Sequence, residues 1–326
     1  MVSFTGCGAA APQTVVLNDQ LARVVDTSDE WISSRTGIRQ RHIISDRESL
    51  ADLATRAAQD ALAMAGVAAG EVEMIILATS SAEDLFGSAC LVQAQLGATN
   101  AVAFDLTAAC SGFVFGVVTA AQYLRSGTYQ NILVIGADVL SRWVDWGDRN
   151  TCVLFGDGAG AVLMQASQSV DNLLGFEIRS DGSHNACLNL AFKPEVGELI
   201  PGVILTQGKY QYITMNGKEV YRFAINRVPE AIEKVIHKAN LSHQDIDWLI
   251  LHQANQRIMD AVALKLDLPP KKVISNVAKY GNTSAASIPI ALNEAVRSGK
   301  IQVGDTIATS GFGAGLSWGA AIFKWG

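Results

Sequence analysis

Apolar and polar positions along the 326 residues switch repeatedly between a helical and a strand period, and the order of those switches predicts the architecture. Ser49-Leu-Ala-Asp-Leu-Ala-Thr-Arg-Ala-Ala to Ala65 reads as an Ala-rich helix closed by Gly66. Glu71-Val-Glu-Met-Ile-Ile-Leu-Ala-Thr79 follows as an apolar strand. Val102, Phe104 and Leu106 alternate as a second strand. Phe113 to Leu124 is then apolar on nearly every face and stops at Ser126-Gly127, the pattern of a buried helix with a glycine end. Strand, helix and strand in alternation predict a parallel sheet under helical cover, hence an α/β protein.

The second half repeats this order. Asp245-Ile-Asp-Trp-Leu-Ile-Leu-His252 matches Glu71 to Ala78, 174 residues earlier, and an amphipathic helix, expected over Pro229 to Ala239, precedes it. Ala291 to Ser298-Gly299 matches Thr119 to Ser126-Gly127 at a spacing of 172. The strands Asn131 to Gly136 and Asp305 to Ser310 also correspond. The chain therefore divides into two pseudo-symmetric halves, residues 1–171 and 172–326.

Cys110 lies where the strand ending at Leu106 hands over to the buried helix. The free N–H groups and positive dipole end of a helix N-terminus favour a thiolate there. A spacing of 172 carries Cys110 onto Asn282, at the head of Thr283-Ser-Ala-Ala-Ser. His252 follows its strand as Ala78 follows the matching one. Ligands of α/β sheets gather outside the carboxyl ends of strands. Two halves packed about a pseudo-twofold axis would thus bring Cys110, His252 and Asn282 to one centre. A free cysteine is otherwise a small core hydrophobe, a lone histidine after a strand a satisfied core residue, and an asparagine there a helix cap.

Composition narrows the classes. Hydrophobic residues make up 49% and charged residues 17%, as in a well-buried enzyme body. No uninterrupted apolar run reaches membrane-spanning length. Met1-Val-Ser-Phe-Thr-Gly lacks the basic and apolar regions of a signal peptide, so a cytoplasmic location is expected. Cys7, Cys90, Cys110, Cys152 and Cys187 form no CxxC pair, and the five histidines form no cluster, so reduced thiols and no metal site are expected. A net charge of −6 argues against nucleic acid while leaving room for a local basic patch. Phe155-Gly-Asp157-Gly-Ala-Gly160 leads into a strand rather than a helix, which removes the phosphate-cradle reading.

Six motifs, in order along nearly the whole chain, give it a family likeness: Trp31-Ile-Ser-Ser-Arg35-Thr-Gly37, Ala109-Cys110-Ser-Gly112, Phe155-Gly-Asp157-Gly-Ala-Gly160, His252-Gln-Ala-Asn255, Gly281-Asn282-Thr-Ser-Ala-Ala-Ser and Gly311-Phe-Gly313-Ala-Gly315-Leu-Ser-Trp318-Gly319. With them the chain resembles the β-ketoacyl-acyl carrier protein synthase III family, the initiating condensing enzymes of type II fatty acid synthesis. The resemblance implies a thiolase-like fold of two βαβαβαββ halves in αβαβα layers. It implies a decarboxylating Claisen condensation of acyl-CoA, acetyl-CoA foremost, with malonyl-acyl carrier protein, through an acyl-enzyme on Cys110. His252 and Asn282 would stabilise the enolate, and the backbone N–H groups of Cys110 and Ala314 would form the oxyanion hole. Trp31, Arg35 and Arg149 match positions that hold the nucleotide end of CoA, and Gly217 and Asn255 match its pantetheine tunnel. Arg222 and Arg257 match a docking patch for the acidic carrier protein. Phe86 matches a residue passed across a homodimer interface into the partner's acyl pocket. No cofactor is implied, since acyl-CoA is a substrate. A polyketide or alkylquinolone-type synthase with the same three side chains is the alternative on this fold. A papain-type hydrolase is disfavoured by the internal repeat, and a thiolase by the lack of a second cysteine near the C-terminal glycine loop.

Overall fold

The computed structural model describes residues 1–326. In the first half the principal elements are β1 (Val2–Ala10), α1 (Asp29–Thr36), α2 (Leu50–Ala65), β2 (Met74–Ala78), α3 (Ala89–Leu96), β3 (Val102–Leu106), α4 (Gly112–Arg125), β4 (Asn131–Asp138) and β5 (Gly158–Ala166). In the second they are β6 (Leu173–Ser180), α5 (Gly217–Lys238), β7 (Trp248–Leu251), α6 (Gln256–Lys265), α7 (Ser287–Arg297), β8 (Thr306–Gly313) and β9 (Ser317–Lys324).

Each half builds one sheet. The first runs β3-β2-β4-β5-β1, with β2 parallel to both β3 and β4, and β5 antiparallel to β4 and β1. The second runs β7-β8-β9-β6 with the same senses, β7 parallel to β8 and the remaining pairs antiparallel. Its counterpart of β3 is reduced to a single parallel bridge between Leu249 and Val273, so the second half is one strand short of the expected repeat.

The layers follow from which faces are apolar. In β4, Ile132 and Val134 point into the cluster shared with α4 and α7, while Leu133 and Ile135 point into the cluster under α2. A strand buried on both faces reads as an unbroken apolar run, which is why these strands lack alternation. The central layer holds Phe113, Val117 and Leu124 of α4 and Ile288 and Leu292 of α7 between the two sheets, with Phe4 and Phe323 stacked at 4.3 Å. On the far side, Ala224, Val228, Ile232 and Val235 of α5 cover Leu249, Leu251, Ala308 and Ile322. The result is α2, sheet, α4 with α7, sheet, α5: the thiolase-like αβαβα arrangement.

The expected bounds of one helix need correction. The helix α5 starts at Gly217, twelve residues before Pro229, with the Asn216 side chain capping it by accepting from the Glu219 N–H. The buried stripe Val220, Ala224, Val228, Ala231 and Val235 carries the helix through the proline, although a proline more often opens one. The helix α1, Asp29–Thr36, is capped by Ser28 and closed by Gly37 at φ +79°. A hairpin that the periodicity did not predict pairs Phe192–Ile200 with Val203–Tyr210 around Pro201-Gly202. Its Val196, Leu199, Ile200 and Ile204 side chains stand exposed, as does Phe86 at 98%. No helix is long and apolar enough to cross a membrane.

Candidate active site

The structural repeat fixes what the halves superpose. Met74 pairs with Ile132 as Trp248 pairs with Ile307, so His252 does occupy the place of Ala78. At the helix heads the spacing is different. The short turn Ala109–Ser111 before α4 corresponds to Ser284–Ala286 before α7, with Ala109 at φ +46° and Ser284 at φ +50°. The symmetry mate of Cys110 is therefore Ala285, not Asn282. The expected spacing of 172 holds only at the helix ends, because α4 has 14 residues and α7 has 11.

Asn282 reaches the centre by another route. Its backbone forms a parallel bridge with Phe155 in the first half: Asn282 N–H donates to the Leu154 carbonyl at 2.9 Å, and Gly156 N–H donates to the Asn282 carbonyl at 3.0 Å. Its side-chain Oδ1 accepts from the Ser284 N–H at 2.9 Å. The amide oxygen is thus consumed by the turn, and the NH₂ group is left as the free donor.

His252 follows β7 and is 2% exposed. Its Nδ1 lies 2.7 Å from Ser287 Oγ, which also accepts from the Gln253 N–H at 3.2 Å. The arrangement that satisfies every group has the serine O–H donating to Nδ1, which leaves the proton on Nε2. Burial pushes the imidazole pKa down to about 3, so the ring is a neutral donor. Ser287 ends the motif that begins at Gly281, and only the tertiary structure sets it, in the first turn of α7, beside the histidine.

Cys110 is 7% exposed, on the turn before α4. Burial pushes its thiol up to about 12; the Ser284 hydroxyl bond acts in the opposite sense, and the Asp138 charge adds to the rise. Desolvation thus outweighs the helix dipole, and the resting group is the thiol, contrary to the thiolate expected from position alone. The glycines of 311–315 bring backbone close to this turn. A Cβ on Gly313 would lie 2.7 Å from Cys110 N, and one on Gly311 would lie 2.9 Å from the Cys110 carbonyl oxygen. The need here is for space, since neither glycine has a positive φ.

Cys110, His252, Asn282 and Ala314 line a single cavity of about 1530 Å³, and Trp31, Arg35, Arg149, Gly217, Arg222, Asn255 and Arg257 line it too. Arg35 and Arg149 set their guanidinium carbons 4.7 and 5.1 Å from the centre of the Trp31 ring. The first pair follows from the four-residue spacing on α1. Arg149 also donates to the Asp26 carbonyl at 2.9 Å. The Asn255 oxygen caps α6 through the Arg257 N–H, and its NH₂ donates to the Arg35 carbonyl at 3.1 Å, which ties α6 to α1. Arg222 stands on α5, mostly exposed, and Arg257 in the first turn of α6. Phe86 lies outside this chain's cavity, whose wall takes in its neighbour Leu85. Asp157 is fully buried and accepts from Ile44 N–H, Ser141 N–H and Ser141 O–H, a structural role. No three His, Cys, Asp or Glu side chains gather as a metal site.

A thiol, a neutral imidazole N–H and a carboxamide NH₂ on one buried cavity suit acyl transfer to sulfur and stabilisation of an adjacent oxyanion or enolate. Residues 104–182 match the family described as 3-Oxoacyl-[acyl-carrier-protein (ACP)] synthase III, and residues 236–325 match its C-terminal region. The β-ketoacyl-[acyl-carrier-protein] synthase III of Trichormus variabilis is 63% identical over 325 residues, covering 100% of this chain and 98% of the relative. The crystal structure of 3-oxoacyl-[acyl-carrier-protein] synthase III from Aquifex aeolicus superposes with a TM-score of 0.91 at 43% identity, covering 100% of both chains. The priming β-ketosynthase of the R1128 polyketide pathway superposes at 0.90 with 32% identity, over 100% of this chain and 96% of its own. The chain therefore belongs to the β-ketoacyl-acyl carrier protein synthase III family, the condensing acyltransferases of fatty acid biosynthesis.

Proposed function

We propose that the chain joins the acyl group of an acyl-CoA, acetyl-CoA foremost, to malonyl-acyl carrier protein by a ping-pong route through Cys110. The sulfur attacks the thioester carbonyl, and the backbone N–H groups of Cys110 and Ala314 receive the oxyanion. Collapse expels CoA as its thiol, with the proton the cysteine gave up. Malonyl-acyl carrier protein then loses CO₂, and the electron pair of the broken C–C bond becomes an enolate held by His252 Nε2–H and the Asn282 NH₂. The enolate carbon attacks the acyl-cysteine, the C–S bond breaks, and β-ketoacyl-acyl carrier protein leaves. Because loss of CO₂ itself generates the carbanion, no strong base is required. Each donor to such a developing charge is typically worth about 3 kcal/mol.

The reading is carried by the partner accounting at the cavity wall. His252 Nδ1 is taken by Ser287 and Asn282 Oδ1 by the Ser284 N–H, so both side chains are left with donors and no acceptor to offer. Trp31 with Arg35 and Arg149 at the rim suits an adenine ring and phosphates, with no cofactor beyond this substrate. Arg222 and Arg257 suit an acidic carrier protein, against an overall charge of −6. The exposed apolar hairpin and Phe86 favour a homodimer, since apolar patches of this kind seek a partner.

Intact-mass analysis after incubation with acetyl-CoA alone tests the first half-reaction. One acetyl group is expected on the wild-type protein and none on Cys110→Ala. An unmodified wild-type protein overturns the proposal. Turnover with malonyl-CoA but not with malonyl-acyl carrier protein would assign it to the polyketide-type alternative.

A further inference from the structure

The sulfur of Cys110 receives one hydrogen bond, from Ser284 Oγ at 3.2 Å, and both residues are buried. Ser284 belongs to the other half of the molecule, on the turn that mirrors the nucleophile's own. That turn is fixed without the hydroxyl. Ser284 N–H donates to Asn282 Oδ1, Ala286 N–H donates to the Thr283 carbonyl at 3.0 Å, and Ala285 N–H donates to Asp138 Oδ2 at 3.2 Å. Gly136 lets the turn press onto β4, where a Cβ would meet the Ala285 carbonyl oxygen at 2.2 Å. The mirrored turn adopts the same left-handed backbone on Ala109, which has no hydroxyl at all. The turn does not depend on the Ser284 O–H, which lies between two acceptors, the Cys110 sulfur at 3.2 Å and the Asp138 carboxylate.

We propose that Ser284 is a further catalytic residue, whose hydroxyl holds the Cys110 sulfur in place and donates to it as the thiolate forms. The proposal rests on the reading of Cys110 as the nucleophile. The groups facing the sulfur explain the requirement. The Asp138 carboxylate, fully buried at the end of β4, opposes negative charge on the sulfur, and the neutral His252 supplies no positive charge to offset it. A donor at hydrogen-bond distance is the remaining side-chain means of favouring the thiolate. Asp138 accepts from the Ser80 N–H at 2.8 Å, the Ser81 hydroxyl at 2.9 Å, the Thr79 hydroxyl at 3.2 Å and the Ala285 N–H at 3.2 Å, so it is satisfied when the Ser284 hydroxyl it shares with the sulfur turns toward the forming thiolate.

The test is the pH dependence of Cys110 alkylation by iodoacetamide in the full chain, for wild type, Ser284→Ala and Ser284→Gly. Mass spectrometry of the Cys110 peptide is the readout, because Cys90 is exposed and reacts too. Loss of a hydrogen bond to a charged group moves the inflection up by about one pH unit or more. At neutral to mildly alkaline pH, below an inflection that burial holds at about 12, the rate falls about tenfold at every pH measured. Glycine adopts the left-handed backbone without strain, so Ser284→Gly gives the same displacement if the alanine variant is perturbed. Coincident profiles overturn the proposal, and so does unfolding of both variants, which would make the hydroxyl a structural device. If wild-type Cys110 is alkylated yet never takes an acetyl group from acetyl-CoA, the condensing mechanism fails, while the comparison of profiles still decides the role of Ser284.

Discussion

Gly313→Ala probes the approach of the two halves at Cys110. Gly313 ends β8 directly beneath the Cys110 turn, where an added Cβ would lie 2.7 Å from Cys110 N and 3.1 Å from both Ala109 Cβ and Cys110 Cβ. The first of these is backbone and cannot rotate away. To restore ordinary contact, near 3.4 Å, the strand and the turn must separate by about 0.7 Å. Overpacking of this kind costs about 1–3 kcal/mol of stability. A shift approaching 1 Å in a reacting group costs about a hundredfold in rate, so a fall of roughly ten- to a hundredfold is expected for acetylation of Cys110. Single-turnover intact-mass kinetics measures the rate, and urea unfolding measures the stability. Gly70→Ala is the matched control, since its added Cβ meets nothing within 4 Å. Gly313→Ala with wild-type rate and stability would refute the steric argument. Lost stability with an unchanged rate would refute the coupling between this strand and the reactivity of Cys110.

Two further outcomes follow from the geometry around His252. Ser287→Ala removes the donor to Nδ1 and frees the ring to take the other tautomer, so malonyl decarboxylation should fall about tenfold or more while acetylation of Cys110 by acetyl-CoA is kept; equal losses in both half-reactions would argue against a role through the imidazole. The second outcome concerns pH. With its folded pKa held near 3 by burial, against about 6.5 unfolded, His252 binds a proton only in the unfolded state between those values. Stability therefore rises with pH across this window, by up to about 1.4 kcal/mol per unit from this group, and levels off above the unfolded value. Urea titrations of wild type and His252→Gln at pH 4 to 7 should differ in slope by about one proton, and parallel profiles would show that the imidazole is not buried in its neutral form.

The glycine-closed helix over residues 50–65, the buried helix of residues 112–125, the apolar strands and their ordered repetition were all legible in the sequence. Each is dictated by local periodicity and by the two-sided burial of central strands. What escaped was where a local rule met a stronger tertiary one. Pro229 marks a helix start by its chemistry, but the apolar stripe from Val220 to Val235 carries the helix through it. Three fewer residues in α7 than in α4 moved the symmetry mate of Cys110 to Ala285. Asn282 nevertheless reached the cavity, because its backbone pairs with Phe155 across the halves.

The sequence by itself determined the kind of fold and the duplication and marked out Cys110, His252 and Asn282, since periodicity and motif are properties of neighbouring residues. The tertiary structure alone decided their chemical states. Whether Cys110 rests as thiol, which nitrogen of His252 holds the proton and which end of the Asn282 amide is free depend on desolvation and on hydrogen bonds from Ser284 and Ser287. Those partners are set by how the halves pack, because burial is a property of the assembled molecule and not of any stretch of chain.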